Sequence, residues 1–406
     1  MYFNFEQLRE HPFFEELEFR EINKYLNHYR RPVFIYRKAV IKKQIENFQF
    51  YMPDETYLYY AVKSNPNIEI LRYIATFRLG CDTASYNEIK RVLAAGFKPN
   101  KILFTGPGKT QRELTYAIRN NVKSINIESI SELQLIESLA KHFDKVQDVM
   151  IRVNPFYEAG EEFRIIGGSG TSKFGIDIEQ IDNVLSLIKK LKYVRLKGIH
   201  IFNSSQILDD EKIIENTKNV IETAKELELK SGIKFKTIDV GGGFGIPYSL
   251  NDKGLNIKSL GFKLKKVMQA YKEFLKDKEV IFELGRFISG FAGIYLTKVL
   301  YKKISRGKNV LITEGGINHL LRPALIKQAF PIVNLTAIKE KRTGINKTYK
   351  ICGPLCTSLD ELSSDVELKE TNEGDILCIL NCGAYGYTES MPMFLSQTRS
   401  KEIVIN

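Results

Sequence analysis

The strongest constraint in this 406-residue chain is a series of eight short apolar runs, each ending in polar or glycine residues. They are YLYYAVKSN (57–65), LGCDTAS (79–85), ILFTGPG (102–108), SINIES (124–129), VMIRVNP (149–155), LKGIHIFNSS (196–205), KTIDVGGGFG (236–245) and VIFELGR (280–286). Each is rich in β-branched or aromatic residues and nearly continuous in its hydrophobicity, as a strand buried on both faces should be. Helical stretches fill the gaps. Three of them open with an S/T-x-x-E box, at Ser85–Glu88, Thr110–Glu113 and Ser129–Glu132. A strand, a cap and a helix, repeated eight times over about 250 residues, predict an α/β fold of the (β/α)8 TIM-barrel type. In such a barrel the chemistry gathers at the C-terminal strand ends. Those ends here carry Lys63, Asp82, Arg152, His200, Ser205, Gly241, Gly242, Gly243, Glu283 and Arg286.

After Arg286 the texture changes. GFAGIYLTKVLYKK (290–303), KNVLITEGG (308–316), TYKICGP (348–354) and DILCILNCGAYGY (375–387) read as strands without regular intervening helices, hence a C-terminal β-domain. The expected division is an N-terminal segment, 1–36, joining that β-domain, a barrel over 37–286, and the β-domain proper over 287–406. With 43% hydrophobic and 27% charged residues, disorder is excluded. No apolar run approaches the ~18 residues of a membrane span. The opening MYFNFEQLREHPFFEE mixes acids into its apolar residues, unlike a secretory signal, so a cytoplasmic location is expected. A net charge of +12 raises the question of a nucleic-acid partner, but Lys and Arg are spread along the chain with no basic cluster. None is expected. Five cysteines (Cys81, Cys352, Cys356, Cys378, Cys382) suit free thiols in a reducing compartment. The two C-x-x-x-C pairs lack the C-x-x-C spacing of structural zinc, and positions four apart on a strand share a face, so no metal is expected.

A lone lysine at a strand end is ordinarily solvated. At a crowded, partly desolvated barrel mouth, its pKa would fall and free Lys63 for Schiff-base chemistry. The DVGGGFG turn exposes backbone N–H groups suited to a phosphate, although such turns also serve packing. Glu283 is placed to keep a heterocycle's ring nitrogen protonated, and Arg286 to hold a phosphate or carboxylate; alone, the pair would equally make a rim salt bridge. A Schiff-base lysine, a phosphate cradle and a ring-nitrogen carboxylate together describe a pyridoxal 5'-phosphate site.

With these motifs in order, the chain resembles the fold-type III pyridoxal-phosphate decarboxylases, the group of diaminopimelate and ornithine decarboxylases with an alanine-racemase-like barrel. The match runs from RPVFIY (31–36) through YAVKSNP, GCDTASYNEI, ILFTGPGK, NIESISEL, IRVNP, KFGID, DVGGGFGIPY, ELGRF, GGINHLLRPAL and GPLCTSLDEL to CGAYGY. The resemblance implies that Lys63 carries the cofactor and that Glu283 partners the pyridine nitrogen. It places Asp82, Arg152, Phe202, Ser205, Gly241–Gly243, Gly285 and Arg286 around the cofactor, with Tyr385 reaching both cofactor and substrate. It makes Arg322 a substrate-carboxylate arginine and Cys356 the thiol that protonates the carbanion. In the family that cysteine comes from the other subunit, which implies a homodimer with shared active sites.

Two departures bear on the substrate. Phe202 stands where the family has a histidine stacked on the cofactor ring; an aromatic face still stacks, but a titratable ring is lost. His200, two residues earlier, is expected to pack or hydrogen-bond. Thr357 stands where the family commonly carries an acid for the substrate's distal ammonium, and Ile326 where diaminopimelate decarboxylases have a tyrosine. An unpaired buried ammonium is costly, so the substrate's far end is not expected to be a free amine. The pattern, with the tail MFLSQTRSKEIVI, is similar to a subgroup acting on conjugated amino acids, including citryl-diamino acids of siderophore assembly and aminoacyl groups on carrier proteins. A small anionic substrate, carrier-linked in one version, also suits the basic surface. The alternatives are a diaminopimelate, lysine or ornithine decarboxylase of the free amino acid and, remotely, a non-catalytic regulatory homologue. The last should have lost Lys63 or Cys356, and both are present.

Overall fold

The computed structural model describes residues 5–15, 17, 21, 24, 32–155, 172–249 and 252–406; much of the segment 1–36, including Arg31, lies outside them. The chain divides into two units. One comprises Gln44–Ile246 and Gly254–Phe287, and the other Met1–Lys43, Pro247–Lys253 and Ile288–Asn406. The short segment Pro247–Lys253 thus groups with the C-terminal strands, inside a span the sequence assigns to the barrel. Among the described residues no helix is long and apolar enough to cross a membrane.

Strand β1 (Val33–Arg37) belongs to the second unit, and the barrel begins at β2 (Thr56–Ala61). There follow β3 (Gly80–Thr83), β4 (Ile102–Phe104), β5 (Ser124–Ile127), β6 (Gln147–Asn154), the two-residue β7 (Ile176–Asp177), β8 (Val194–His200), β9 (Thr237–Asp239) and β10 (Glu279–Leu284). Among the described residues eight parallel strands close in the order β2-β3-β4-β5-β6-β8-β9-β10, with β10 pairing back to β2; β7 adds only to β6. All eight apolar runs of the sequence are strands of this barrel. The strands stop earlier than the runs do, because the polar and glycine tails turn out of the sheet to form the loops at its C-terminal end.

Tyr59, Leu103, Met150 and Ile281 form a buried cluster in the barrel. Tyr59 is large, and Gly80 makes room for it: a Cβ on Gly80 would lie 2.2 Å from the Tyr59 ring. Gly198 plays the same part between β8 and β9, where a Cβ would come 1.7 Å from the Thr237 carbonyl oxygen. The helix caps follow the sequence with one variation. Thr110 and Glu113 form a reciprocal box. Ser85 and Ser129 accept from the Glu88 and Glu132 N–H groups, but these glutamates reach one residue further back, to the N–H groups of Ala84 and Glu128.

The second unit is a mixed sheet of β11 (Gly293–Ser305), β12 (Lys308–Thr313), β13 (Ile332–Asn334), β14 (Lys347–Cys352), β15 (Glu361–Leu368) and β16 (Ile376–Ile379), ordered β13-β16-β11-β12-β14-β15. Strand β1 pairs antiparallel with β11 and parallel with β17 (Lys401–Ile405). Leu8, Phe13, Phe14 and Leu17 pack with Val33, Ile35, Ile294, Leu296 and Cys378 in one apolar core. At ~1.5–3 kcal/mol per fully buried large side chain, this ties the first residues into the sheet. Cys352 and Cys378 lie on strands, but Cys356 and Cys382 fall in the turns beyond them, so neither pair shares one strand face as the spacing had suggested.

His11 links this segment to the far end of the chain. Asn381 Nδ2 donates to the Pro247 carbonyl oxygen (2.9 Å), which leaves its Oδ1 to accept from His11 Nε2 (2.7 Å). His11 Nδ1 accepts from the Phe13 N–H (3.2 Å), so the ring is neutral with its proton on Nε2. Burial lowers its pKa to about 4 against the opposing pull of the Asn381 hydrogen bond. An unfolded chain protonates this ring near pH 6.5, so stability present above 6.5 is lost as pH falls towards 4, by up to about 3 kcal/mol. We expect His11→Gln, which cannot titrate, to show a shallower loss of unfolding free energy than wild type between pH 6.5 and 4 in urea titrations.

Candidate active site

Lys63 sits just past β2, in the 3-10 turn Val62–Ser64. Ser64 Oγ donates to the Ala61 carbonyl oxygen (2.8 Å), and Tyr60 OH donates to that of Asn65 (3.0 Å). Gly285 presses on the turn from β10's end, where a Cβ would come 2.7 Å from Ser64 Cβ. The turn is therefore rigid. Lys63 Nζ lies 3.7 Å from Asp82 Oδ2 and 5.3 Å from the Phe202 ring centroid. Its side chain is 40% exposed, a partly desolvated position. A carboxylate and an aromatic face flank the amine.

Three buried carboxyl groups converge here. Asp82 accepts from Thr105 Oγ1 at 2.6 Å, and Thr105 in turn accepts from Asn126 Nδ2 at 2.8 Å. Burial and the charge of Glu283 raise Asp82 to about 7, against Lys63 and the Thr105 hydrogen bond. His200, Asp239 and Glu283 each offer an atom within 4.8 Å of the others, and His200 and Asp239 are register partners across β8 and β9. Burial alone would push the Glu283 carboxyl up. The charge of His200, 3.5 Å away, outweighs it together with Lys63 and Asp239, and Glu283 falls to about 2. Asp239 moves the other way, well above its usual range, through burial and the Glu283 charge. It holds the glycine turn by accepting from the Gly241 N–H (2.9 Å). Glu283 Oε1 is buried and makes no hydrogen bond.

The glycine turn and the loop after β8 interlock. A Cβ on Gly241 would lie 2.7 Å from the Phe202 ring, one on Gly242 2.0 Å from the Glu283 carbonyl oxygen, and one on Gly243 2.8 Å from that of Ser204. Gly241 and Gly243 also have φ of +69° and +93°, which disfavours any side chain. Phe202 is thus held against Gly241 and Gly242, and Ser205 follows it half-buried. Arg286 is buried at the start of the short helix Arg286–Ser289. Arg152 is turned to Glu128 (Nη1 to Oε1 3.1 Å) and the Phe174 ring (4.5 Å). Glu128 also accepts from the Gly106 and Gly175 N–H groups. Arg152 therefore braces the strand ends through this carboxylate.

In the β-unit, Arg322 and Tyr385 come together: the guanidinium carbon is 5.1 Å from the Tyr385 centroid, and Tyr385 adopts φ of +61°, a conformation aromatic residues rarely take. Arg322 Nε donates to Gln328 Oε1 (2.9 Å) and Nη1 to Glu389 Oε2 (2.5 Å). Cys356 is exposed and Thr357 half-buried on a turn organised by Asp360. Asp360 accepts from the N–H groups of Ile317 and Leu355, both at 2.7 Å. Gly316 and Gly353 leave space for its oxygens, since a Cβ on either would lie within 2.4 Å of them. Ile326 ends the helix Arg322–Ile326. Asp239, Glu389 and Asp360 escaped the sequence reading. Asp239 had a signal, an acid two residues before a glycine turn on an otherwise apolar strand, whereas the other two depend on partners distant in sequence.

Residues 38–290 match the family model of the pyridoxal-dependent decarboxylases, in its pyridoxal-binding domain. The chain belongs to this family. It is 30% identical to an L-glutamyl-[BtrI acyl-carrier protein] decarboxylase of Niallia circulans, over 96% of this chain and 92% of that protein. It is 32% identical to the diaminopimelate decarboxylase of Aquifex aeolicus, over 92% and 86% of the two chains. The crystal structure of the Helicobacter pylori diaminopimelate decarboxylase with L-lysine is similar at a TM-score of 0.86, with 29% identity over 96% of this chain and 94% of that one. The enzyme is a pyridoxal-phosphate-dependent decarboxylase, and its barrel suits that cofactor: an ionised buried carboxylate with one unused oxygen matches a protonated ring nitrogen, and a turn of three glycines has the chemistry of a phosphate cradle.

Asp360 should be indispensable to the Cys356 turn. Asp360→Ala strands two buried N–H donors, at about 1–3 kcal/mol each. We expect urea unfolding to show a loss of about 2–5 kcal/mol.

Proposed function

We propose that this enzyme removes the α-carboxylate of a conjugated amino acid, with a citryl-diamino acid of carboxylate-siderophore assembly as its substrate. The observation that carries the reading is the lack of an uncommitted carboxylate in the turn that bears Cys356. Thr357 presents only a hydroxyl, which accepts from the Leu359 N–H (3.3 Å). Asp360 is spent on backbone donors, and Glu361 pairs with Lys350. A free distal ammonium would leave water for a site without a counter-ion, at a penalty of several kcal/mol. An acylated nitrogen meets no such penalty. The relative from Niallia circulans, whose name gives it an amino acid attached to a carrier protein, supports a substrate of this conjugated kind.

Bound pyridoxal phosphate supplies an electron sink for the pair released when the α-carboxylate departs. Lys63 would tether the cofactor, returning to its place between Asp82 and Phe202 when the product leaves. Glu283, kept ionised by His200, would hold the proton on the ring nitrogen. Phe202 would cover one ring face in place of the family's histidine and exclude water there. Ser205, the Gly241–Gly243 turn, Gly285 and Arg286 are assigned to the phosphate side, and Tyr385, Arg322 and Thr357 to the substrate. Cys356 would return a proton to the α-carbon, contributed by the second subunit of a homodimer. The excess of positive charge would draw in a citrate conjugate.

Mass spectrometry of products from a panel of citryl amides and free diamino acids separates this reading from a diaminopimelate decarboxylase, which the Aquifex aeolicus and Helicobacter pylori relatives favour. We expect kcat/KM to favour the conjugates at least tenfold; preference for free diaminopimelate, lysine or ornithine would sink the proposal. Thr357→Glu should gain turnover of a free diamine. Lys63→Ala should lose both turnover and the lysine-dependent cofactor absorbance, and a band that persists unchanged would remove Lys63 from its role.

A further inference from the structure

The resemblance makes Arg322 a receptor for a substrate carboxylate, yet its guanidinium is already engaged on three sides. Gln328 takes Nε, Glu389 takes Nη1, and the Tyr385 ring lies over the guanidinium plane's carbon. The two charges are unequally placed. The Arg322 side chain is 4% exposed and that of Glu389 37%. A molecule approaching this position therefore meets the carboxylate first, and the cation only behind it.

We propose that Glu389 is a specificity-determining residue: by occupying Arg322 it turns an anion-binding position into a neutral pair, which accepts a substrate whose distal end is an uncharged acyl group and rejects one ending in a free carboxylate. The inference rests on the proposed assignment of Arg322 to the substrate, and takes the carboxylate it would otherwise receive to be the distal one. A distal carboxylate would have to displace Glu389 from a close, charge-assisted hydrogen bond and leave it unpaired nearby. A distal ammonium gains little from a carboxylate already neutralised by a guanidinium. An amide or thioester carries no charge to be repelled; the carbonyl of either can accept from the guanidinium's remaining N–H groups, and an amide N–H can donate to the carboxylate. The linkage of a citryl amide is of this kind, with the citrate carboxylates lying beyond it.

L-Glutamine and L-glutamate share a skeleton and differ at the distal group, as do glutaramate and glutarate without the reacting amine. For the wild-type holoenzyme, we expect calorimetry to show glutaramate binding at least tenfold tighter than glutarate, and kcat/KM to favour glutamine over glutamate. Glu389→Gln keeps the shape and removes the charge, so both ratios should fall at least tenfold, while Glu389→Asp should keep the wild-type order. Glutarate binding as tightly as glutaramate in wild type would overturn the proposal whether or not the variants fold. So would ratios unchanged within twofold in a Glu389→Gln protein of wild-type melting temperature. Wild-type preference for free diaminopimelate over a citryl amide would instead defeat the proposed function, and the paired ratios would still judge Glu389 separately.

Discussion

Three buried carboxyl groups act on one another's ionisation, and the barrel end is arranged around how that conflict is settled. Asp82, Asp239 and Glu283 sit at the ends of β3, β9 and β10. Glu283 keeps its charge because His200 and Lys63 face it, Asp239 is pushed towards its neutral form, and Asp82 stands between at about 7. Unequal environments thus give like groups unlike roles. Asp239, in anchoring the Gly241 N–H, also connects this electrostatic arrangement to the glycine turn. Losing His200 would therefore disturb the ionisation of Glu283 and, through Asp239, the backbone beside it.

The barrel was legible because a parallel sheet covered on both faces leaves almost no polar residue in a strand, and the eight runs show that directly. Lys63, Glu283 and the glycine turn were legible for the complementary reason: polar or glycine residues interrupt an apolar run where its strand ends. The β-unit was less so. β15 reads ELSSDVEL with only two residues buried, and β13 is only three residues long, so neither carries a strong apolar signal. Strand β17 is visible only through its pairing with β1, at the opposite end of the chain.

The harder part of the site depends on spatial neighbours that spacing does not encode. Arg322 reads from its motif as an open anion receptor, and only the fold brings Glu389 to it, 67 residues away. Asp360 carries no signal of its own in the sequence, yet it joins the Ile317 and Leu355 backbones. Lys63 stands out in the sequence as the candidate amine by its place at a strand end, but the spacing does not tell that a carboxylate and an aromatic face flank it. Residue type survives translation from sequence to structure better than residue environment does.

The glutamates that reach past their own caps have a further consequence. Glu88 and Glu132 accept from Ala84 and Glu128, so each fastens its helix to the strand end immediately before it. A carboxylate of fixed reach makes these connections gauges of chain length. One residue added there would unhook the glutamate and rotate the first helical turn away from the strand. Variation in loop length should therefore be tolerated elsewhere around the barrel and resisted at these two joints.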